Sequence, residues 1–125
     1  MFRKSTVLAA LLMGAALSPV SALAQTEEPR QFSARVGTPV AKAAEALGID
    51  DFQVGLALLD TALGLENLTA YEQANIQKMR GMALYNLDRL PGAIAAFQDA
   101  IKSGGLTEPE SRKLFEQIAQ LKIAN

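Results

Sequence analysis

The apolar positions of this chain recur every three or four residues, which is the spacing of one helix face, and no segment alternates with period two over a useful length. Helix start and stop signals interrupt this pattern repeatedly from residue 38 onward. The pattern therefore predicts an all-α fold of helices joined by short turns. We place five helices at about residues 39–47, 51–65, 70–87, 89–103 and 108–125.

Capping residues mark the predicted helix starts. Thr69 with Glu72, and Thr107 with Glu110, match the capping box, in which each side chain bonds the backbone N–H of the other residue. The third and fifth helices should begin directly after these threonines. The other predicted caps are Thr38 followed by Pro39, Asp50 or Asp51, and Asp88 with Pro91 in the first turn that follows.

Gly81 stands in the middle of the third predicted helix, where glycine costs about 1 kcal/mol relative to alanine. A gain in packing must offset this cost. The second and fourth helices align at a separation of 38 residues, a period typical of stacked helix pairs. The aligned positions are Gly55, Leu59, Ala62 and Leu63 with Ala93, Phe97, Ala100 and Ile101. We predict that the bare backbone at Gly81 accepts the ring of Phe97.

These residues also carry a family resemblance. The small and large positions of the tetratricopeptide repeat (TPR), a helix-turn-helix unit of about 34 residues, are matched in type and spacing by Gly81, Leu84, Ala93, Phe97 and Ala100. Residues 74–107 resemble one complete repeat, and the flanking helices resemble degenerate halves. The chain departs from the pattern at Arg80, where leucine is usual, and at Gly105, where the closing proline is usual. The resemblance implies antiparallel hairpins stacked as a short TPR-like solenoid.

The third helix carries two stripes on nearly opposite faces. An apolar stripe that should meet the neighbouring helices consists of Ile76, Met79, Ala83 and Leu87. The other stripe consists of Tyr71, Asn75, Lys78, Met82 and Tyr85, with Asn86 at its border. In tetratricopeptide proteins the first helix of each pair lines a concave groove, so the resemblance implies that these six residues bind a partner. The alternative is that the two tyrosines are covered by the second or fifth helix as ordinary core residues.

The two terminal helices differ in character. In the fifth helix, the residues that form one apolar face are Leu114, Phe115, Ile118 and Leu121. The opposite arc is polar, as the outer face of a terminal capping helix requires, and consists of Arg112, Lys113, Glu116, Gln117 and Gln120. The first helix is short and rich in alanine, so it covers its end of the stack poorly. Because about three repeats are usually needed for stability, we expect the N-terminal helices to self-associate or to dock another protein.

The beginning of the chain matches a cleavable secretory signal. A short basic start precedes an uncharged run at residues 7–17, and Ala22-Leu23-Ala24 offers small residues for cleavage. A membrane-spanning helix needs roughly 20 apolar residues, so the run is too short for an anchor. We predict a signal peptide at residues 1–24, a flexible linker at 25–37 and a helical domain at 38–125. The alternative for the linker is that its Phe32 and Val36 dock on the domain.

Composition excludes several functions. The chain has no cysteine and no histidine, so the usual zinc sites and the Cys–His and Ser–His nucleophiles cannot be built. After residue 24 there are 10 basic and 13 acidic side chains, which provides no basic face for nucleic acid. No carboxylates pair at a spacing that would share a metal or a proton. We expect a non-catalytic protein with no metal and no cofactor.

The leading hypothesis is a periplasmic or secreted module that binds a protein or peptide partner through its helical surface. The run LTAYEQANIQKMRGMALYNLDRLPGAIAAFQDAI is similar to short periplasmic tetratricopeptide proteins that accompany energy-transducing uptake systems of the outer membrane. After signal cleavage, no stable membrane anchor is expected. The alternative hypothesis is an envelope-associated structural or lipid-binding helical protein.

Overall fold

The computed structural model describes residues 29–124, and within this range the chain forms five α-helices and no β-strand. The helices are α1 (Ala34–Gly48), α2 (Phe52–Leu63), α3 (Ala70–Asn86), α4 (Leu90–Lys102) and α5 (Glu108–Ala124). The all-α prediction is confirmed. The predicted signal peptide, residues 1–24, lies outside the described residues.

Each helix packs chiefly against the next one in the sequence, and the connections between helices are three to six residues long. Such short connections produce antiparallel helical hairpins. The fifth helix touches α4, but no Cα atom of α5 lies within 8 Å of a Cα atom of α3. Side chains, and not backbone atoms, therefore line the space between α3 and α5. No helix in the range 29–124 has the length and apolar character needed to cross a bilayer.

Buried apolar side chains form two clusters. The first joins α3, α4 and α5 to one residue of α2, and its members are Leu56, Ala83, Leu84, Ala93, Ala96, Phe97, Ala100, Leu114 and Ile118. The second joins α1, α2 and α3, and its members are Val36, Val40, Ala43, Leu59, Ala62 and Ile76. Ile76 and Ala83 are fully buried, so the apolar stripe of α3 packs as predicted.

The predicted contact between Gly81 and Phe97 is present. Phe97 is buried, and a Cβ atom added at Gly81 would lie 2.5 Å from its Cδ1 atom. The α1–α2 hairpin uses glycine in the same way, because a Cβ atom at Gly55 would lie 2.7 Å from Cδ2 of Leu47. Real Cβ atoms are not found this close to carbon, so a side chain at position 81 would displace the Phe97 ring, whereas a side chain at position 55 would require the end of the Leu47 side chain to move.

Both predicted capping boxes are formed. At the start of α3, Glu72 N donates to Thr69 Oγ1 (3.1 Å) and Thr69 N donates to Glu72 Oε1 (2.9 Å). At the start of α5, Glu110 N donates to Thr107 Oγ1 (3.3 Å) and Thr107 N donates to Glu110 Oε2 (3.1 Å). The start of α2 is capped by Asp51, whose carboxylate accepts from Val54 N.

The predicted start of the first helix is wrong. The helix begins at Ala34, Ser33 is its N-cap residue, and Pro39 lies inside it. Residues 34–37, which were assigned to the flexible linker, are therefore helical. The reason is tertiary: Val36 is fully buried, and Phe32 packs against the same cluster, so the apolar face of α1 extends one turn before Thr38.

Two further expectations differ from the structure. Asp88 has a φ of 63° and belongs to the turn, so Arg89 is the N-cap residue of α4, although Pro91 lies in the first turn as predicted. Phe115 is 58% exposed instead of joining the apolar face of α5. The reason is that, among the helices of residues 29–124, only α4 packs along α5, which buries the narrow stripe of Leu114 and Ile118.

Candidate functional site

A groove of about 670 Å³ lies between α3 and α5. It exists because α3 and α5 both pack on α4 without touching each other along their backbones. The ring of Phe97 from α4 forms its floor. The α3 wall consists of Lys78, Met82, Tyr85 and Asn86, and the α5 wall consists of Glu110, Lys113, Leu114, Gln117, Gln120 and Leu121.

Four of the six residues predicted from the α3 stripe line this groove, namely Lys78, Met82, Tyr85 and Asn86. Met82 and Tyr85 are about half exposed, at 50% and 51%. Tyr85 is therefore not an ordinary core residue. The amide of Asn86 donates to the carbonyl oxygen of Met82 at 2.8 Å, which holds its side chain along the helix.

The structure does not bring Tyr71 and Asn75 to the groove. Asn75 Nδ2 donates to the Tyr71 carbonyl oxygen at 2.9 Å and thus serves its own helix. The ring of Tyr71 is contacted by residues that precede α1. The Phe32 ring meets it edge to face at 5.4 Å between centroids.

We call residues 30–33 the strap, because this segment crosses from α1 over α3 to the start of α5. Arg30 stacks on the Tyr71 ring at 5.1 Å from the centroid, donates to the carbonyl oxygen of Gly105 (3.0 Å), and pairs with Glu110 (3.0 Å). At the other end of the strap, Ser33 donates from both its N–H and its hydroxyl to Glu72 Oε2, at 2.8 and 2.9 Å. The strap is thus held by polar contacts at both ends.

Glu110 connects the strap to the groove. One carboxylate oxygen binds Arg30, and the other lies 3.9 Å from Lys78 Nζ on the opposite wall. The pKa of Glu110 is lowered, chiefly by the hydrogen bond from the Thr107 hydroxyl, with smaller contributions from the Thr107 N–H and the charges of Arg30 and Lys78. The carboxylate therefore remains charged at neutral pH and places a fixed negative charge where the strap meets the groove.

Glu72 is a buried charged residue, with 1% of its surface exposed. Burial alone would raise its pKa, but hydrogen bonds from the backbone and hydroxyl groups of Ser33 and Thr69 outweigh burial and lower the pKa. The same carboxylate therefore caps α3 and fastens the strap. Its role in the cap was predicted from the sequence, whereas its bonds to Ser33 were not.

The polar arc of α5 has a different position from the one expected. Lys113, Gln117 and Gln120 were assigned to an outward-facing surface, but they form one side of the groove opposite α3. These groove residues were missed because their place depends on how α5 packs on α4. Arg30 was missed as well, and the signal that could have identified it is an arginine two residues before a phenylalanine that docks on the domain.

Within residues 29–124, no group of three or more metal-ligating side chains is close enough together to hold a metal ion. The groove instead offers an apolar floor, amide groups and three charged side chains. Comparison of the chain with protein-family models, curated proteins and solved structures gives no match. The tetratricopeptide resemblance therefore rests on the residues of this chain alone.

Proposed function

We propose that this protein is a non-catalytic interaction module of the tetratricopeptide type that binds an extended segment of a protein partner in the groove between α3 and α5. The observation that carries the proposal is the exposure of Met82 and Tyr85 on one wall of a groove with an apolar floor. Large apolar and aromatic side chains that are half exposed around a concavity are typical of binding surfaces.

The chemistry of the walls suits a peptide. Tyr85 offers a broad ring with a polar tip, and Met82 adapts to irregular side chains. Across the groove, the amides of Gln117 and Gln120 can donate to and accept from the backbone of an extended segment. Lys113, for which no ion pair is found within the described chain, provides a positive charge for an acidic side chain or a terminal carboxylate.

The location and pathway form part of the proposal. The signal-like pattern at residues 1–24 supports a periplasmic or secreted location. The resemblance of the α3–α4 region to periplasmic tetratricopeptide proteins supports an accessory role in an envelope complex, such as an energy-transducing uptake system of the outer membrane. Neither nucleic acid nor a metal is required by the chemistry of this groove.

Site-specific photo-crosslinking in the organism that encodes the protein tests this proposal. We would place a photoreactive phenylalanine analogue at Tyr85 in the groove and, as the matched control, at Val54, which is 47% exposed on α2. A discrete protein adduct from position 85 that disappears when Leu121→Lys is added, and that is absent from position 54, is the expected result. Equal adducts at both positions, or an adduct indifferent to Leu121→Lys, would refute groove binding.

A second candidate function, an envelope-associated structural or lipid-binding role, is favoured by one observation. Phe115 and Ile123 lie on one face of α5 and are 58% and 85% exposed. Co-sedimentation with vesicles containing anionic phospholipid tests this role. Binding that is lost in the Phe115→Ser, Ile123→Ser double variant would support it, whereas an unbound wild-type protein would exclude it.

Self-association through the N-terminal helices is a further proposal on partners. It is supported by small exposed side chains on α1, Ala41 and Ala44, which would allow another helix to approach closely. Light scattering coupled to size-exclusion chromatography tests it, and a dimer that Ala44→Glu converts to a monomer is the expected result.

A further inference from the structure

The strap contacts the domain in the way that a bound peptide would. The strap is held on the domain by three side chains, those of Arg30, Phe32 and Ser33, and by one backbone contact, from the Ser33 N–H to Glu72. Each of these side chains meets a complementary group on α3 or α5 or on the turn between α4 and α5. Arg30 and Phe32 are two positions apart, and separate contact sites for side chains at this spacing are typical of domains that recognise extended peptides.

The acceptor for the arginine is particularly complete. Its guanidinium has a carboxylate partner in Glu110, a carbonyl partner in Gly105, and an aromatic face in Tyr71. Lysine would not serve equally well, because the planar guanidinium can donate to two acceptors while it stacks on a ring. Glu110 also has a lowered pKa, so the acceptor retains its charge at neutral pH.

The acceptor for the aromatic ring lies beside it on the same tyrosine. Phe32 meets Tyr71 edge to face and also packs against the core cluster of α1, α2 and α3. Tyr71 thus contacts both an arginine and the aromatic residue two positions later. Because Glu110 also belongs to the groove, this acceptor surface continues directly into the groove that runs towards Leu121.

We propose that the surface formed by Tyr71, Gly105 and Glu110 is a binding site for an extended segment with the pattern arginine–x–aromatic, and that the strap is its built-in competitor. The inference deepens the proposed function, on which it rests, by naming the class of segment that the groove accepts. A partner would displace Arg30 and Phe32 from this surface and continue along the groove.

Competition by the strap has a measurable consequence. A tethered segment acts at an effective concentration in the millimolar range. A free peptide that offers only the same contacts therefore binds the wild-type protein weakly. Vacating the surface removes the competitor, so an Arg30→Ala, Phe32→Ala variant should bind such a peptide at least about tenfold more tightly than the wild type.

The probe is a fluorescein-labelled peptide with the sequence of residues 29–34, PRQFSA, and binding to the full chain is followed by fluorescence anisotropy. In the vacated variant, Glu110→Gln should weaken binding about tenfold, because it removes the charge of a charge-assisted hydrogen bond but keeps the capping oxygen. The matched control is Glu108→Gln, an exposed residue that pairs with Arg112 and does not touch the strap. A peptide with alanine in place of its arginine should bind neither the wild type nor the vacated variant.

Several outcomes would overturn the inference. The first is equal affinity of the PRQFSA peptide for the wild type and the vacated variant. The second is no binding of this peptide to a folded vacated variant. The third is binding of the alanine peptide that equals binding of PRQFSA. If removal of Phe32 unfolds the chain, Arg30→Ala alone serves, since Arg30 is half exposed and makes no core contact. A wild-type dimer that exchanges straps would also refute competition within one chain, and light scattering would detect it. Crosslinking at position 85 does not depend on the strap, so failure here leaves the groove proposal standing.

Discussion

The ring of Phe97 lies directly on the backbone of α3 at Gly81, so closely that a Cβ atom at position 81 would lie 2.5 Å from Cδ1 of the ring. This contact joins α3 to α4 and also forms the floor of the groove. The helix-weakening glycine is therefore explained by packing.

Gly81→Ala should destabilise the protein, even though alanine favours helix. The propensity gain is about 1 kcal/mol, whereas forcing the Phe97 ring to move costs about 1–3 kcal/mol as overpacking. Phe97 is 5% exposed even though its ring lines the groove, so moving the ring away from position 81 would disturb its packing against α3 and α4. Denaturant unfolding followed by circular dichroism measures the difference. Gly92→Ala is the control, because its Cβ would meet Leu84 Cδ1 at an ordinary 3.5 Å, and no loss of stability is expected there.

Phe97→Ala should lower the free energy of unfolding by about 3–5 kcal/mol, because it leaves a cavity where α3 meets α4. The matched control is Phe115→Ala, which removes the same atoms from a residue that is 58% exposed and should change stability by no more than about 0.5 kcal/mol. Thermal melts of the two variants give a direct comparison. Equal loss at both positions would contradict the packing model.

Stability should fall in acid partly through Glu72. Its folded-state pKa lies below its ordinary value of 4.5, so the unfolded chain binds the proton more readily. The stabilisation is complete above about pH 4.5 and disappears as the pH falls through the lower folded-state pKa. Glu72→Gln should lower the free energy of unfolding by about 1–3 kcal/mol at neutral pH. It should also reduce the dependence of stability on pH below 4.5. Some dependence should remain, because the pKa of Glu110 is lowered as well.

The control for this acid experiment is Glu116→Gln, which changes an exposed residue of α5. Its unfolding free energy should follow that of the wild type throughout the acid titration. A Glu72→Gln variant whose stability declines in acid as steeply as that of the wild type would show that the carboxylate is not held by Ser33 and Thr69.

Groove substitutions should separate binding from stability. Tyr85→Ala removes a half-exposed ring and should change the free energy of unfolding by less than about 1 kcal/mol, while partner adducts from a photoreactive residue at Met82 should be lost. Leu114→Ala, at a position 3% exposed, should instead cost about 2–5 kcal/mol. If Tyr85→Ala unfolds the domain, the tyrosine is needed for folding, and the prediction that it acts in partner binding is wrong.

Local features were readable from the sequence because their causes lie within a few residues. The capping box of Thr69 and Glu72 spans three positions and forms as predicted. The contact of Gly81 with Phe97 joins two helices, but it was predictable because α4 directly follows α3 in the sequence and because the cost of a mid-helix glycine indicates that packing uses the missing side chain. Helix number, helix type and the buried stripe of α3 were determined at this level.

Only the tertiary structure decided how distant residues meet. The first helix begins at Ala34 and not after Thr38, because Val36 and Phe32 pack against the core and Ser33 donates to Glu72, 39 residues away. Arg30 reaches Glu110 across 80 residues, which no local pattern specifies. The periodicity of α5 indicated which residues share a face, but the way in which α5 packs on α4 determined that Phe115 is exposed and that Gln117 lines the groove. Caps and helix faces are properties of a few consecutive residues, whereas the groove and the strap depend on the stacking of separate helices, and for this reason the sequence predicted the former and not the latter.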